Sequence, residues 1–221
     1  MDGLAFDIAH LLAGGLVLVS FMMLYQDRLY ALLNVFALQA VVLAAAVAWQ
    51  ARIQEAHHLY VTAAIALVFK AVIVPWALHR IMQRLGVHRE VETVVSIGPT
   101  MLAGMGLVAL SVVLMLQLTA AADNPLARED LAFALSVVLL GLLMMVTRRN
   151  AVSQVVGFMS LENGLILAAT GAQGMPFVVE ISVAFSVLIA LIVIGVFLFR
   201  IRERFDTVDV GALDEFRGDR Q

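Results

Sequence analysis

The amino-acid sequence predicts an all-α integral membrane protein of seven transmembrane helices, with its N-terminus outside and its C-terminus cytoplasmic. Three observations predict this. Of 221 residues, 62% are hydrophobic and only 14% are charged, with a mean hydropathy of +0.98. A soluble domain of that composition would present a mostly apolar surface to water. The apolar residues fall in runs of about 20, the length of helix that crosses a hydrocarbon core. Basic residues, finally, crowd the segments on one side of those runs. Aromatic residues are few, and no ten-residue alternation of apolar and polar positions suggests a barrel strand.

The expected spans are 4–25, 29–50, 59–78, 94–118, 131–147, 151–170 and 177–199. The first run is read as a retained helix, because Met1, Asp2 and Gly3 lack the basic n-region of a signal peptide. Seven crossings put Arg28, Arg80, Arg84, Arg89, Arg148, Arg149, Arg200, Arg202, Arg204, Arg217 and Arg220 on one side. Only Arg52 and Arg128 lie opposite. Basic residues concentrate on the cytoplasmic side, which orients the chain and favours this count, since merging or splitting a span would scramble the asymmetry.

Span three carries the only lysine, Lys70, about 16 Å into the membrane at 1.5 Å per residue. Pro75 follows and removes one ladder hydrogen bond, so a kink is expected near Ala71. Span six carries Glu162 at a comparable depth, within Leu161-Glu162-Asn163-Gly164. Ionised groups at such depth are costly without a partner and mark ion or proton paths. Two readings stand for Lys70: coupling to Glu162 in such a path, or a structural or snorkelling role. Glu180, in the first turns of span seven, is either an acid favoured by the helix dipole or an outer station of the path.

Other polar residues give weaker signals. Asn34 and Gln39 in span two suit bonds to a neighbouring helix. His10, His57 and His58 lie toward the outer face, and His79 and His88 toward the inner loop. Histidine titrates near neutrality and can pass protons, although interfacial histidines commonly only snorkel. Gly14, Gly15, Gly98, Gly104 and Gly106 fit close helix packing. Asp123-Asn124-Pro125 marks a turn and the best internal boundary. It divides a four-span part (1–122) from a three-span part (123–205), with a cytoplasmic tail over 206–221.

The composition also excludes functions. Without cysteine, the chain holds no disulfide, cysteine-ligated zinc or cysteine-ligated iron–sulfur cluster. No histidine or acid spacing forms a convincing metal site. Neither a phosphate-cradling glycine loop nor a nucleophile constellation is present, so catalysis by this chain alone is not expected. Topology accounts for the arginines, which leaves nucleic-acid binding without support.

The C-terminal part resembles the three-span K-type subunit of respiratory complex I and its relatives in cation/proton antiporter complexes. The resemblance rests on Arg148-Arg149-Asn150, then Gly157 and Leu161-Glu162-Asn163, and the ending Val208-Asp209-Val210-Gly211-Ala212-Leu213-Asp214-Glu215-Phe216-Arg217-Gly218. With four further spans ahead of it, the whole chain looks like the component E family of hydrogenase-4, the formate-hydrogenlyase type of membrane-bound hydrogenase. That resemblance implies a multi-pass subunit of the cytoplasmic (inner) membrane. It also implies partners: antiporter-like membrane subunits and a cytoplasmic hydrogenase arm, which would carry the nickel–iron and iron–sulfur centres. The buried acid of the K-type middle helix matches Glu162. The acid of its third helix falls near Val187, which cannot titrate, and Glu180 lies seven residues earlier. The expected role is a part in proton translocation through Glu162, Lys70 and Glu180, with Asn163, His10, His57, His58 and His79 as accessories. The rivals are a non-conducting subunit that joins antiporter-like subunits to the hydrogenase arm, and a stand-alone ion transporter.

Overall fold

A computed structural model describes residues 2–85, 93–118 and 125–171. Among these, six helices are long and apolar enough to cross a membrane. The expected seventh span, Glu180 and the tail lie outside the described residues. Helix α1 covers Asp2–Tyr25 and α2 covers Leu29–Ile53. The third span is composite: α3 (His57–Ala66), a π-helical segment (Leu67–Ile73) and α4 (Val74–Leu85) run on without a break. Then come α5 (Ile97–Leu118), α6 (Pro125–Thr147) and α7 (Ala151–Gly171).

Local chemistry explains the joints. At the α2–α3 turn, Glu55 takes a left-handed φ of 54°. The Ala56 N–H closes back on the Ala51 carbonyl at 3.0 Å, a helix-ending bond that satisfies one of the last orphan carbonyls. The distortion expected at Pro75 takes the form of the π-helical turn just before it, where the Val74 N–H reaches the Phe69 carbonyl five residues back. A wide turn of this kind inserts a residue into the ladder and turns side chains to a new direction. α6 starts at Pro125, where a missing N–H costs nothing. α4 runs on to Leu85, beyond the expected span end at 78, so His79 sits on a helix rather than in a loop. A helix satisfies its own backbone and need not stop where the hydrocarbon does.

Helices α1, α2, α7 and α6 close into a ring, each packed on the next. α5 lies outside it against α6 and α1, and the α3–α4 span lies along α2. Helices from either side of the 122/123 boundary therefore interlock. The core within the ring is built from Leu16, Phe36, Leu43, Val137, Leu140, Val156, Met159 and Ile166. The α6–α7 contact is the tightest. A methyl group added at Gly141 would lie 2.6 Å from the Leu161 backbone nitrogen, and one at Gly164 would lie 2.8 Å from that of Val138. Small residues permit such backbone approach in membranes. In α5, Gly104 makes room for the Phe21 and Leu140 side chains, whereas Gly98 and Gly106 face open space. Ser111 and Ser136 join α5 to α6 through a hydroxyl–hydroxyl hydrogen bond.

Candidate functional site

The tight α6–α7 seam fixes which way the rest of α7 points. Gly157, Leu161 and Gly164 face α6, which turns Ser160 and Asn163, three residues apart on one helix face, toward α2. There they meet Gln39, near the middle of α2 and fully buried (0% exposed). Glu162 meets the π-helical segment, which brings Lys70 inward. Lys70 and Glu162 are 2% and 4% exposed, and their Nζ and Oε2 atoms lie 3.3 Å apart. The two charges singled out in the sequence thus form one ion pair near the mid-depth of the bundle.

A hydrogen-bonded chain continues from the pair across the ring. Lys70 Nζ donates to Asn163 Oδ1 (2.8 Å), and Asn163 Nδ2 donates to Gln39 Oε1 (3.0 Å). Gln39 Nε2 donates to Ser20 Oγ and Ser160 Oγ, each at 2.8 Å, and Ser20 Oγ–H donates to the Leu16 carbonyl at 2.8 Å. Four spans are stitched by five side chains besides Glu162. Beyond the Lys70 contact, neither Glu162 oxygen has a hydrogen-bond partner among the described residues. Chemically, one proton can pass between Nζ and Oε2 without changing the net charge of the pair, and only charge-balanced states are cheap in an apolar interior.

The accessory histidines divide. His10 belongs to a second polar cluster, at the end of the bundle where α1 begins and α2 and α7 finish. Its Nδ1–H donates to the Phe6 carbonyl (2.9 Å), its Nε2 lies 3.9 Å from Asp130 Oδ1, and its ring meets Phe133 edge-on. Gln50 Nε2 donates to Asp130 Oδ2 (3.3 Å), and Gln54 Nε2 donates to the Thr170 carbonyl (2.8 Å). His57 and His58 are exposed at the start of α3, and His57 packs beside Tyr60. His79 packs against Tyr30 with ring centroids 4.5 Å apart and the rings tilted by 58°, which ties α4 to the start of α2. No group of three or more potential metal ligands occurs among the described residues. Ser20, Ser160, Gln50 and Gln54 had no distinguishing mark as site residues, since serine and glutamine in a helix reveal nothing about partners on distant spans.

At the opposite end, Arg148 clamps the bundle. Its Nη2 donates to the Leu24 carbonyl at 2.6 Å, and its own carbonyl accepts from Gln154 Nε2. Val94 N–H pairs with the Thr147 carbonyl beside it (2.9 Å). Burial lowers the Arg148 pKa from its usual value and the Asp27 carboxylate opposes that, yet arginine remains charged in proteins. A buried cation on the last carbonyls of a helix complements the dipole as well as the bond. Arg148→Gln is expected to lower the stability of the detergent-solubilised protein by about 1.5–3 kcal/mol, the worth of a hydrogen bond to a charged group, read as a lower thermal midpoint.

Fold and site together define a multi-pass membrane protein with a buried charge pair where the α3–α4 span meets α7. Comparison with known proteins narrows this. The uncharacterized protein Rv0085 of Mycobacterium tuberculosis is 33% identical over 211 residues, which covers 93% of this chain and 94% of that protein. Hydrogenase-4 component E of Escherichia coli K12 is 30% identical over 216 residues, covering 96% and 98%, and that of Shigella flexneri matches to the same extent. No family model and no solved structure matches. The chain belongs to the hydrogenase-4 component E family.

Proposed function

We propose that this chain is a membrane subunit of a hydrogenase complex, and that its Lys70–Glu162 pair carries protons moved by redox chemistry in other subunits. Family membership and six membrane-spanning helices support the first half. The observation that carries the second is the 3.3 Å contact between two titratable groups inside the bundle. A proton arriving at the pair is taken by Glu162 while Lys70 stays charged, and is handed on when the pair returns to balance. Asn163 holds Lys70 in place through this cycle. The partners would be antiporter-like membrane subunits and a cytoplasmic hydrogenase arm that holds the metal centres, in the cytoplasmic membrane.

A scaffolding reading has its own support, because Gln39 bonds side chains of α1 and α7 from α2. The two differ in what Glu162→Gln does to the purified complex in proteoliposomes. The relay reading expects full assembly with proton translocation lowered about 100-fold, a usual share for a proton-transfer group. Unchanged translocation in an intact complex would sink it. Loss of partner subunits from the purified complex would favour scaffolding. Translocation by the chain alone in liposomes would instead make it a stand-alone transporter.

A further inference from the structure

We infer that Gln39 is a positioning residue for the proton-bearing pair: from behind, it holds the Asn163 amide in the orientation that the Lys70 ammonium needs. This rests on the relay reading of Lys70 and Glu162 given above.

The far end of the chain is Ser20 on α1. A hydroxyl has one hydrogen, and Ser20 commits its own to the Leu16 carbonyl at 2.8 Å, a common bond for serine inside a helix. Ser20 therefore meets Gln39 with a lone pair. The Gln39 group 2.8 Å from it must be the NH2, because the reversed amide would set two lone pairs against each other. The second hydrogen of that NH2 goes to Ser160. Gln39 Oε1 is then left for Asn163, which must present Nδ2–H to it. Asn163 Oδ1 is left for Lys70. The Ser20 hydroxyl at one end and the donor-only Lys70 ammonium at the other agree on the direction of every bond from α1 to the π-helical segment.

Two consequences follow. Lys70 always meets an acceptor at Asn163, never a competing donor, so its own hydrogen stays in place on that side. The amides neither gain nor lose protons at ordinary pH, so the chain through Gln39 is closed to protons. Among the described residues, the proton on Lys70 has one basic neighbour in contact with it, Glu162. Turning the chain round would break the Ser20–Leu16 bond and every amide bond beyond it together, in an interior where each unmade bond is penalised. Gln39 thereby keeps the Asn163 amide in one orientation and leaves Glu162 as the group with which Lys70 can exchange a proton, which distinguishes it from a helix-to-helix tie.

The test uses the whole complex in proteoliposomes and two variants. Gln39→Met keeps the reach of the side chain and removes its polar end. Ser20→Ala combined with Ser160→Ala keeps Gln39 and removes the hydroxyls that orient it. The readouts are the pH profile of proton translocation and the infrared band of the protonated Glu162 carboxyl, identified by its loss in Glu162→Gln. Both variants are expected to displace the band's pH midpoint and the translocation profile by about one unit, the scale of a hydrogen bond to a charged group. If Gln39→Met fails to assemble, the double serine variant decides. Wild-type profiles and an unmoved band, while Glu162→Gln has lost translocation, overturn the positioning role and leave the relay reading standing. If Glu162→Gln translocates normally, the relay reading fails, and the band alone then decides whether Gln39 sets the polarity.

Discussion

Lys70→Met is expected to destabilise the solubilised protein by about 3–5 kcal/mol, the usual cost of removing one member of a buried ion pair. The reason lies in what remains. Glu162 is 4% exposed, with no hydrogen-bond partner among the described residues besides its contact with Lys70. Without the ammonium its charge is uncompensated, and Asn163 Oδ1 loses its donor as well. Lys70→Met combined with Glu162→Leu is expected to recover most of the loss, since apolar replacement of a whole buried pair is often neutral or stabilising. Thermal unfolding in one detergent at one pH gives all three values. The coupling between the two sites should exceed 1 kcal/mol, as for residues in contact. A double variant whose loss equals the sum of the singles would show that the pair does not interact. Recovery of stability together with loss of translocation in the reconstituted complex would separate the fold's need for charge balance from the function's need for a titratable pair.

Much of this site was legible in the sequence for one physical reason. A charge within twenty apolar residues is so costly that its presence announces a partner, and the sequence offered one lysine and one glutamate at similar depth. Asn163 was legible as a neighbour of Glu162. Gln39 was readable as a polar residue seeking a bond across helices, but nothing in a 25-residue apolar helix says which helix answers. Ser20 and Ser160 are the extreme case, because serine in a helix satisfies itself on the preceding turn and leaves no trace of a further role. Pro75 announced a distortion near Ala71, and the structure gives it as a π-helical turn that contains Lys70. The rule for proline gives the fault in the ladder without the register of its repair. Hydropathy ended span three at residue 78, whereas α4 continues to Leu85, since hydropathy reads the lipid boundary and not the helix end.

Glycine shows the same division between capacity and use, and leads to the second large effect. The sequence credited the glycines of spans one and four with close packing, but the closest backbones meet at Gly141, Gly157 and Gly164. Gly141→Ala is expected to cost about 1–3 kcal/mol by overpacking, because the added carbon meets the Leu161 nitrogen, the Leu161 Cα at 2.8 Å and the Gly157 carbonyl at 2.9 Å, all of them backbone atoms that no rotamer change can move aside. Gly141→Leu should prevent the α6–α7 pair from closing and remove folded protein from detergent extracts. Gly106→Ala, with nothing within 4 Å of the new methyl, should be neutral or stabilising by up to about 1 kcal/mol through helix propensity. Equal stability of the Gly141→Ala and Gly106→Ala proteins would contradict the packing described. The seam also sets the site's geometry. Leu161, pressed by Gly141, directly precedes Glu162 and lies two residues from Asn163. A shift of about 1 Å in α7 would stretch the 2.8 Å Lys70–Asn163 bond past hydrogen-bond range. The Gly141→Ala complex, where it assembles, should therefore lose more proton translocation than its loss of folded protein accounts for.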